Sequence, residues 1–203
     1  MEHRTTRALY NYWRRCRDVA RSTPSRADIE PSDIHGILGD TFILECDRPP
    51  CTPFRLAGTR MCLLFNRELK GADFLDLWCM HDREAIAAAF QSMRTETACH
   101  VISWHGYTES DYETGGEMIL LPLTMGGTEV ARALGAMVPF ELPVWLGAVP
   151  LIRLGLRASH RLDMNPDHAS SPPAEPAEAP SDSREQVRRV GHLSVYAGGL
   201  DGN

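Results

Sequence analysis

Apolar residues at the start of the chain recur at the spacing of an α-helix. Between residues 8 and 20 they fall every three or four positions, and arginines occupy most of the positions between them. One face of such a helix is apolar and the other is basic, which predicts an amphipathic helix over about 5–22, ended by Thr23-Pro24. The apolar face would pack on the chain's own body or on a second subunit through Leu9, Tyr12, Trp13 and Cys16.

The next apolar runs are shorter, and they predict a short helix followed by a hairpin. Residues 28–39 carry Pro31 near their start and Gly39 at their end, as is typical of a short helix. The runs 41–47 and 53–58 flank a turn that contains Pro49-Pro50. Because proline cannot continue a strand ladder, the two runs are expected to form an antiparallel pair around that turn.

The pattern over 59–138 predicts helices first and then strands. Short apolar clusters over 59–78 indicate several brief helical turns, and a regular helical spacing from Asp82 to about 97 indicates one longer helix. Three β-rich runs separated by turn-prone residues follow, at 99–107, 117–124 and 130–138. These elements predict an α+β protein: one five-stranded antiparallel sheet, a block of short helices, one longer helix and the N-terminal amphipathic helix.

The C-terminal third of the chain divides into three kinds of sequence. The segment 143–157 is strongly apolar and is expected to cover the body of the protein or to form a partner surface. Residues 163–183 are rich in Pro, Ala and Ser and predict a disordered linker. The tail 184–203 regains apolar residues, so it is either a docking peptide or a frayed terminus. The predicted units are therefore a helix at 1–26, a body at 27–162, a linker and a tail.

Charge is distributed unevenly along the 203 residues. The net charge of −6 hides seven arginines against two acids in residues 1–26, and eighteen acids against ten bases in 27–160. This asymmetry favours packing of the first helix on an acidic body or subunit over binding of nucleic acid, which stays open as the less favoured interpretation. No apolar run approaches the ~18 residues of a membrane span, and the start lacks the uninterrupted apolar region of a signal peptide, so a cytoplasmic protein is expected.

The sequence carries none of the common catalytic or metal-binding motifs. It has no phosphate-binding loop, nucleophile elbow, zinc-protease motif or dinucleotide fingerprint. Its six cysteines form no Cys-x-x-Cys pair, so they are expected to pack as small apolar side chains. We therefore expect a protein that is not an enzyme and holds no metal.

Several segments, taken in order, resemble a known family. They are LYNYWRRCR at 9–17, RADIEPSDI at 26–34, FRLAGTRMCLLFNRELKG at 54–71, EMILLPL at 117–123, LGAMVP at 134–139 and WLGAVPL at 145–151. Their order is similar to that of bacterial PAS (Per-Arnt-Sim) proteins, in particular a subfamily of small single-domain members. One departure is Asn66, where the family pattern carries glycine; Asn tolerates the left-handed backbone that this turn needs.

The resemblance implies a regulatory sensor that acts in bacterial signal transduction through contacts with signalling proteins, as a homodimer, and that a small ligand could gate. A PAS cavity would lie between the sheet and the helix block. Its implied apolar lining is Phe54, Leu56, Met61, Leu64, Phe65, Phe74, Leu77, Trp78, Ile86, Phe90, Ile102, Trp104, Leu120 and Leu134. The polar candidates are Arg55, Arg60 and Glu117.

The cofactor stays open at this stage, because the sequence requires none. Haem, flavin or a metabolite filling the cavity is the alternative to a protein that works only by docking. A flavin photosensor would need a longer signature around Cys62, of which this chain keeps only the cysteine. Haem would need an axial histidine, for which His81, His100 and His105 are candidates. Alternation along the strand 99–107 places one of the last two on the inner face of the sheet.

Overall fold

The structure is a computed structural model that describes residues 1–46 and 51–162, together with the strand backbone of Arg189–Val190 and Leu193–Ser194. The chain forms two units, Met1–Pro166 and Asp167–Asn203. In the second unit, the two short strands just named pair antiparallel with each other. The predicted linker at 163–183 and most of the predicted tail lie outside the described residues.

The helices of the first unit follow the predicted order. The α-helices are α1 (Arg4–Ala20), α2 (Thr59–Leu64) and α3 (Arg83–Glu96). Four 3-10 helices complete the helical part: Arg26–Asp28, Pro31–Asp40, Phe74–Leu77 and Met80–Asp82. Asn66 takes a left-handed backbone with φ of 46°, so the turn expected there is present.

The sheet of the first unit contains six strands, whereas the sequence predicts five. They are β1 (Thr41–Glu45), β2 (Phe54–Ala57), β3 (Cys99–Thr108), β4 (Glu113–Thr124), β5 (Val130–Pro139) and β6 (Leu151–Leu162). All neighbours are antiparallel, in the order β2-β1-β5-β4-β3-β6. The class α+β is confirmed. The sixth strand comes from the apolar segment at 143–157, much of which pairs with β3 instead of forming a separate cover.

Strand β4 also begins four residues earlier than predicted, at Glu113. Gly115 and Gly116 resemble a turn in the sequence, but both lie inside the strand and pair with β3. A Cβ on Gly116 would overlap the Trp104 indole and the Val138 carbonyl. The Trp104 side chain comes so close to the backbone at position 116 that only glycine, which has no side chain, fits there.

The sheet has a buried core on each of its faces. On the inner face, the side chains of β3, β4 and β5 pack with α2, α3 and the short helices. On the outer face, α1 covers β4 and β5, with Leu9, Tyr12 and Trp13 buried. The Trp13 Nε1 donates to the Pro122 carbonyl at 2.9 Å. The apolar face of α1 thus packs on the chain's own sheet, which is one of the two arrangements that its sequence allowed.

Irregular segments line both edges of the sheet. Beside β6, Trp78 bridges Leu154, the Cys79 N–H donates to the Leu154 carbonyl at 2.7 Å, and an Asp82 carboxylate oxygen accepts from Leu156 N–H at 2.9 Å. Beside β2, the Phe54 N–H donates to the Ala72 carbonyl at 3.0 Å. Backbone groups that an edge strand would expose therefore have partners within the chain at these positions.

Candidate functional site

Most of the predicted cavity residues lie in the inner core and contact one another. The set shared with that core is Phe54, Met61, Leu64, Phe65, Phe74, Leu77, Trp78, Ile86, Phe90, Ile102, Trp104 and Leu120. At its centre, the Phe74 ring lies 5.2–5.9 Å from the rings of Phe42, Phe54, Trp78 and Phe90, measured between centroids. These distances are those of directly packed aromatic rings. The predicted lining residues therefore form a packed aromatic cluster.

Two predicted lining residues, Leu56 and Leu134, do not face the inner core. The β1–β2 pairing shifts at a bulge, so that Ile43 opposes Leu56 while Leu44 opposes Phe54. This shift turns Leu56 away, and about half of its surface is exposed. Leu134 pairs with Ile43 and belongs to the outer core. Their placement on the inner face was wrong because a bulge changes the alternation, and because both faces of this sheet are buried.

The three polar candidates also lie away from the inner core. Arg55 lines a surface depression with Glu45, Lys70 and Arg132. Arg60, on α2, forms a two-pronged ion pair with Asp40, in which Nε and Nη2 lie 2.7 Å from Oδ1 and Oδ2 respectively. This hydrogen bonding to Asp40 raises the pKa of the guanidinium.

Glu117 faces the outer side of the sheet and holds the start of α1. Its carboxylate accepts from the Glu2 N–H at 2.7 Å, from the His3 N–H at 3.2 Å and from the Thr6 hydroxyl. A carboxylate at this place satisfies donors that the first turn of a helix cannot satisfy itself, and its charge complements the helix dipole. Glu117 is therefore an anchor for α1, a role that its sequence position alone does not reveal.

Four buried polar atoms have no hydrogen-bond partner among the described residues, and three of them lie on the inner side of the sheet: the indole nitrogens of Trp78 and Trp104, and Nδ1 of His100. The indole nitrogens of Trp78 and Trp104 are both buried, and no acceptor among the described residues lies within hydrogen-bond distance of either. A buried donor without an acceptor is costly, by about 1–3 kcal/mol. From the sequence, both tryptophans are predicted only as apolar lining residues, so their unpartnered donors were not expected.

The histidines proposed for haem occupy three different surroundings. His100 faces the inner side, where its Nε2 lies 3.2 Å from the Ser92 hydroxyl of α3. His105 is on the outer face, edge-on to the Tyr107 ring at 4.8 Å. His81 is exposed beside Asp82. Alternation along β3 thus places one histidine on each face, as the sequence predicts, and the inner one contacts a serine.

The pKa of His100 makes stability depend on pH. Burial lowers this pKa from its ordinary value of 6.5, Arg161 lowers it further, and Glu96 acts in the opposite direction. As the pH falls below 6.5, the unfolded chain therefore binds the proton first, and the free energy of unfolding should decrease until the lower pKa of the folded state is reached. We expect His100→Gln to remove this part of the acid destabilisation, measured by urea unfolding between pH 7.5 and 5. His160→Gln, at an exposed histidine, is the control and should leave the profile unchanged; equal profiles for wild type and His100→Gln would contradict the argument.

A cavity of about 730 Å3 opens between the start of α1 and α2, at the border of the inner core; we call it the α1–α2 cleft. Its walls also include the Pro31–Asp40 helix, the end of β5 and the loop that follows. The lining residues are His3, Arg4, Thr5, Ala8, Gly36, Ile37, Asp40, Arg60, Leu63, Leu64, Met137, Val138, Pro139, Leu142, Leu146 and Gly147. Of the predicted site residues, the structure brings only Arg60 and Leu64 to this cleft.

Beside the cleft, the β5–β6 loop (residues 140–150) presents apolar side chains to solvent. Phe140 is 44% exposed, Leu142 81% and Val144 101%. Internal contacts hold the loop: the Trp145 ring stacks on Tyr112 with centroids 5.4 Å apart, and the Leu146 N–H donates to the Pro143 carbonyl at 2.9 Å. The apolar run at 143–157 in the sequence signals part of this surface, although its second half forms β6.

The sequence profile of PAS_5, a family of PAS domains, matches residues 1–138. The chain therefore belongs to this PAS domain family. The match includes α1 and ends before β6, so the helix that covers the outer face lies within the family's own region. No protein in a search of curated sequences matches the chain.

Solved structures similar to this one include light-oxygen-voltage (LOV) and PAS domains. An RNA-binding LOV receptor is 16% identical over 58% of this chain, with a TM-score of 0.42, and the match spans 34% of that receptor. The blue-light photoreceptor Aureochrome1 LOV domain is 12% identical over 53% of this chain and 80% of its own, with a TM-score of 0.44. A PAS domain of an HTR-like protein from Haloarcula marismortui is 12% identical over 64% of this chain and 99% of its own, with a TM-score of 0.40.

Among the described residues, no helix is both long and apolar enough to cross a membrane. In the same part of the chain, no three His, Cys, Asp or Glu side chains come together as a metal site.

Proposed function

We propose that this PAS protein is a non-catalytic regulatory module of the cytoplasm that signals by binding another protein through its β5–β6 loop. The observation that carries the proposal is the exposure of Phe140, Leu142 and Val144 on one loop. Apolar side chains gathered on a surface are typical of protein interaction sites. Because the Tyr112–Trp145 stack already holds the loop, a partner would meet a surface that needs little further ordering.

The partner that fits this surface best is a signalling protein with a small apolar contact region, in a transient complex. Three exposed side chains make a smaller surface than the permanent interface of an obligate homodimer. The helix α1 offers little as a dimer surface, because Leu9, Tyr12 and Trp13 are already buried against β4 and β5 while Cys16 is partly exposed. A homodimer through the apolar face of α1 would require the helix to leave the sheet.

The proposal is tested by replacing Val144. A photo-crosslinking phenylalanine analogue at position 144 identifies a partner in cells, and the affinity of the purified partner is then measured by calorimetry. Val144→Asp is expected to weaken binding by at least about tenfold, since it places a charge in an apolar contact. Val19→Asp is the matched control, because Val19 is also a largely solvent-exposed valine, on α1, and it should leave the affinity unchanged.

Three results would reject this function. They are an absence of reproducible crosslinks at position 144, an affinity that Val144→Asp leaves unchanged, and a wild-type homodimer in sedimentation velocity that Val144→Asp dissociates. The last result would make a second copy of the chain the occupant of the loop.

A second candidate function is a sensor that holds a ligand in the inner core, and the unpartnered indole nitrogens of Trp78 and Trp104 favour it. A ligand with an acceptor atom would satisfy these two donors. The absorption spectrum and the native mass of the purified protein test this function directly. Visible absorption would indicate haem or flavin, and added mass without colour would indicate a metabolite. A colourless protein of the mass of the chain alone would reject this candidate.

A further inference from the structure

The α1–α2 cleft combines a size and a lining that are typical of small-molecule sites. Its volume of about 730 Å3 lies within the ~300–1,000 Å3 range of such sites. Its apolar lining comes from four elements, through Ile37, Leu63, Leu64, Met137 and Leu146. A cleft that is lined mainly by aliphatic side chains favours an aliphatic body in the ligand.

The charged groups of the cleft favour an anionic end on that ligand. The cleft is lined by two guanidinium groups, of Arg4 and Arg60, and by one carboxylate, that of Asp40. Glu117 binds the Glu2 and His3 N–H groups, and the Thr5 N–H donates to the His3 ring, so the two arginines are the permanently charged cations among the lining residues. Arg4 is exposed, and no carboxylate among the described residues forms an ion pair with it.

Hydrogen bonds to neighbouring residues fix the orientation of the Arg60 guanidinium. Its Nε and Nη2 are fixed by Asp40 at 2.7 Å each, and Nη2 also donates to the Gly36 carbonyl at 3.3 Å. Nη1 has no acceptor within residues 1–46 and 51–162. A guanidinium held on one side presents its remaining donors in a defined direction, which is the arrangement that carboxylate binding uses.

The geometry points to the α1–α2 cleft as a binding site for an amphipathic monocarboxylate, a fatty acid in chemical class, with its carboxylate at Arg4 and Arg60 and its chain along Leu63, Leu64 and Met137. This site borders the inner core at Leu64 and Met137, which belong to both, but none of the rings of the aromatic cluster lines it. The same cleft includes Leu142 and Leu146 of the β5–β6 loop. Regulation of partner binding by this ligand rests on the proposed function, whereas the binding of the carboxylate does not.

The test uses n-decanoate as the probe, the uncharged analogue decan-1-ol as its counterpart, and the full-length protein. Calorimetry should show saturable binding of decanoate at one site, with decan-1-ol at least about tenfold weaker, as expected when a charge-assisted hydrogen bond is lost. Arg60→Gln and Arg4→Gln should each weaken decanoate binding to a similar extent. Arg7→Gln is the matched control, because Arg7 is an exposed arginine of α1 outside the cleft, and it should bind as wild type does.

The place of binding is tested independently by methionine methyl NMR. Decanoate should shift the methyl signal of Met137, which lines the cleft, and leave that of Met93, which lies in the inner core and does not line the cleft. The site is rejected if decanoate does not bind, if decan-1-ol binds equally well, if Arg7→Gln loses as much affinity as Arg60→Gln, or if Met93 shifts while Met137 does not. A failure of the Val144 experiment would reject the proposed partner contact and leave each of these outcomes measurable.

Discussion

Trp13→Ala is expected to lower the free energy of unfolding by about 3–5 kcal/mol, because it removes a large side chain from the outer core. The Trp13 side chain is fully buried between α1 and the sheet, and its Nε1 donates a hydrogen bond to the Pro122 carbonyl. The substitution leaves a cavity and also removes the donor from a buried carbonyl. In urea denaturation, the midpoint should fall while the slope stays the same if α1 unfolds together with the sheet.

The control for this experiment is Arg14→Ala, on the exposed side of the same helix. It should change the free energy of unfolding by less than about 0.5 kcal/mol. A Trp13→Ala protein as stable as the Arg14→Ala protein would mean that α1 contributes nothing to the folded unit. The apolar face of α1 would then again be a candidate for a contact between subunits.

Glu117→Ala is expected to cost about 2–3 kcal/mol, because donors at the start of α1 lose a charged acceptor that they share. The Glu2 and His3 N–H groups and the Thr6 hydroxyl all donate to this one carboxylate. Loss of the anchor should act first on the beginning of the helix. Amide hydrogen exchange should therefore speed up over residues 4–9 more than over 14–20, while thermal unfolding reports the total loss.

Glu113→Ala provides the comparison, since Glu113 is an exposed carboxylate on the same strand. Its hydrogen exchange over α1 should equal that of the wild type. Uniformly faster exchange along the whole helix in Glu117→Ala would contradict a local anchor and would indicate that α1 detaches as one piece.

The helices and strands of this fold can be predicted from the spacing of apolar residues along the sequence. The face of the sheet on which each side chain lies cannot always be predicted in this way. The helix α1, the β1–β2 hairpin and the inner position of His100 were all predictable from periodicity. The side of Leu56 was not, because a bulge shifts the β1–β2 pairing, and the side of Leu134 was not, because α1 buries the outer face of the sheet as the helix block buries the inner face. When both faces of a sheet are apolar, alternation along a strand shows that two residues lie on opposite faces, but it does not show which of these faces is the inner one.

The candidate site was predictable only in part, for similar reasons. Arg60 stands out as a polar residue in an apolar stretch, but its partner Asp40 is twenty positions away and only the fold brings them together. The strand β6 was not predicted because the segment 143–157 is strongly apolar, which favours one covering surface, whereas a strand begins in its middle, at Leu151. The α1–α2 cleft is formed by five segments that are separate in the sequence, and no local sequence pattern predicts that they come together.

The short segments beside β2 and β6 have a consequence for how this protein can associate. A free strand edge is a template on which another chain can add a strand, whether in a specific complex or in an aggregate. Here Ala72 on one side, and Trp78 to Asp82 on the other, already occupy backbone positions that an incoming strand would need. Addition of a strand is therefore blocked at both of these places, and a partner that binds there must recognise side chains instead of extending the backbone ladder.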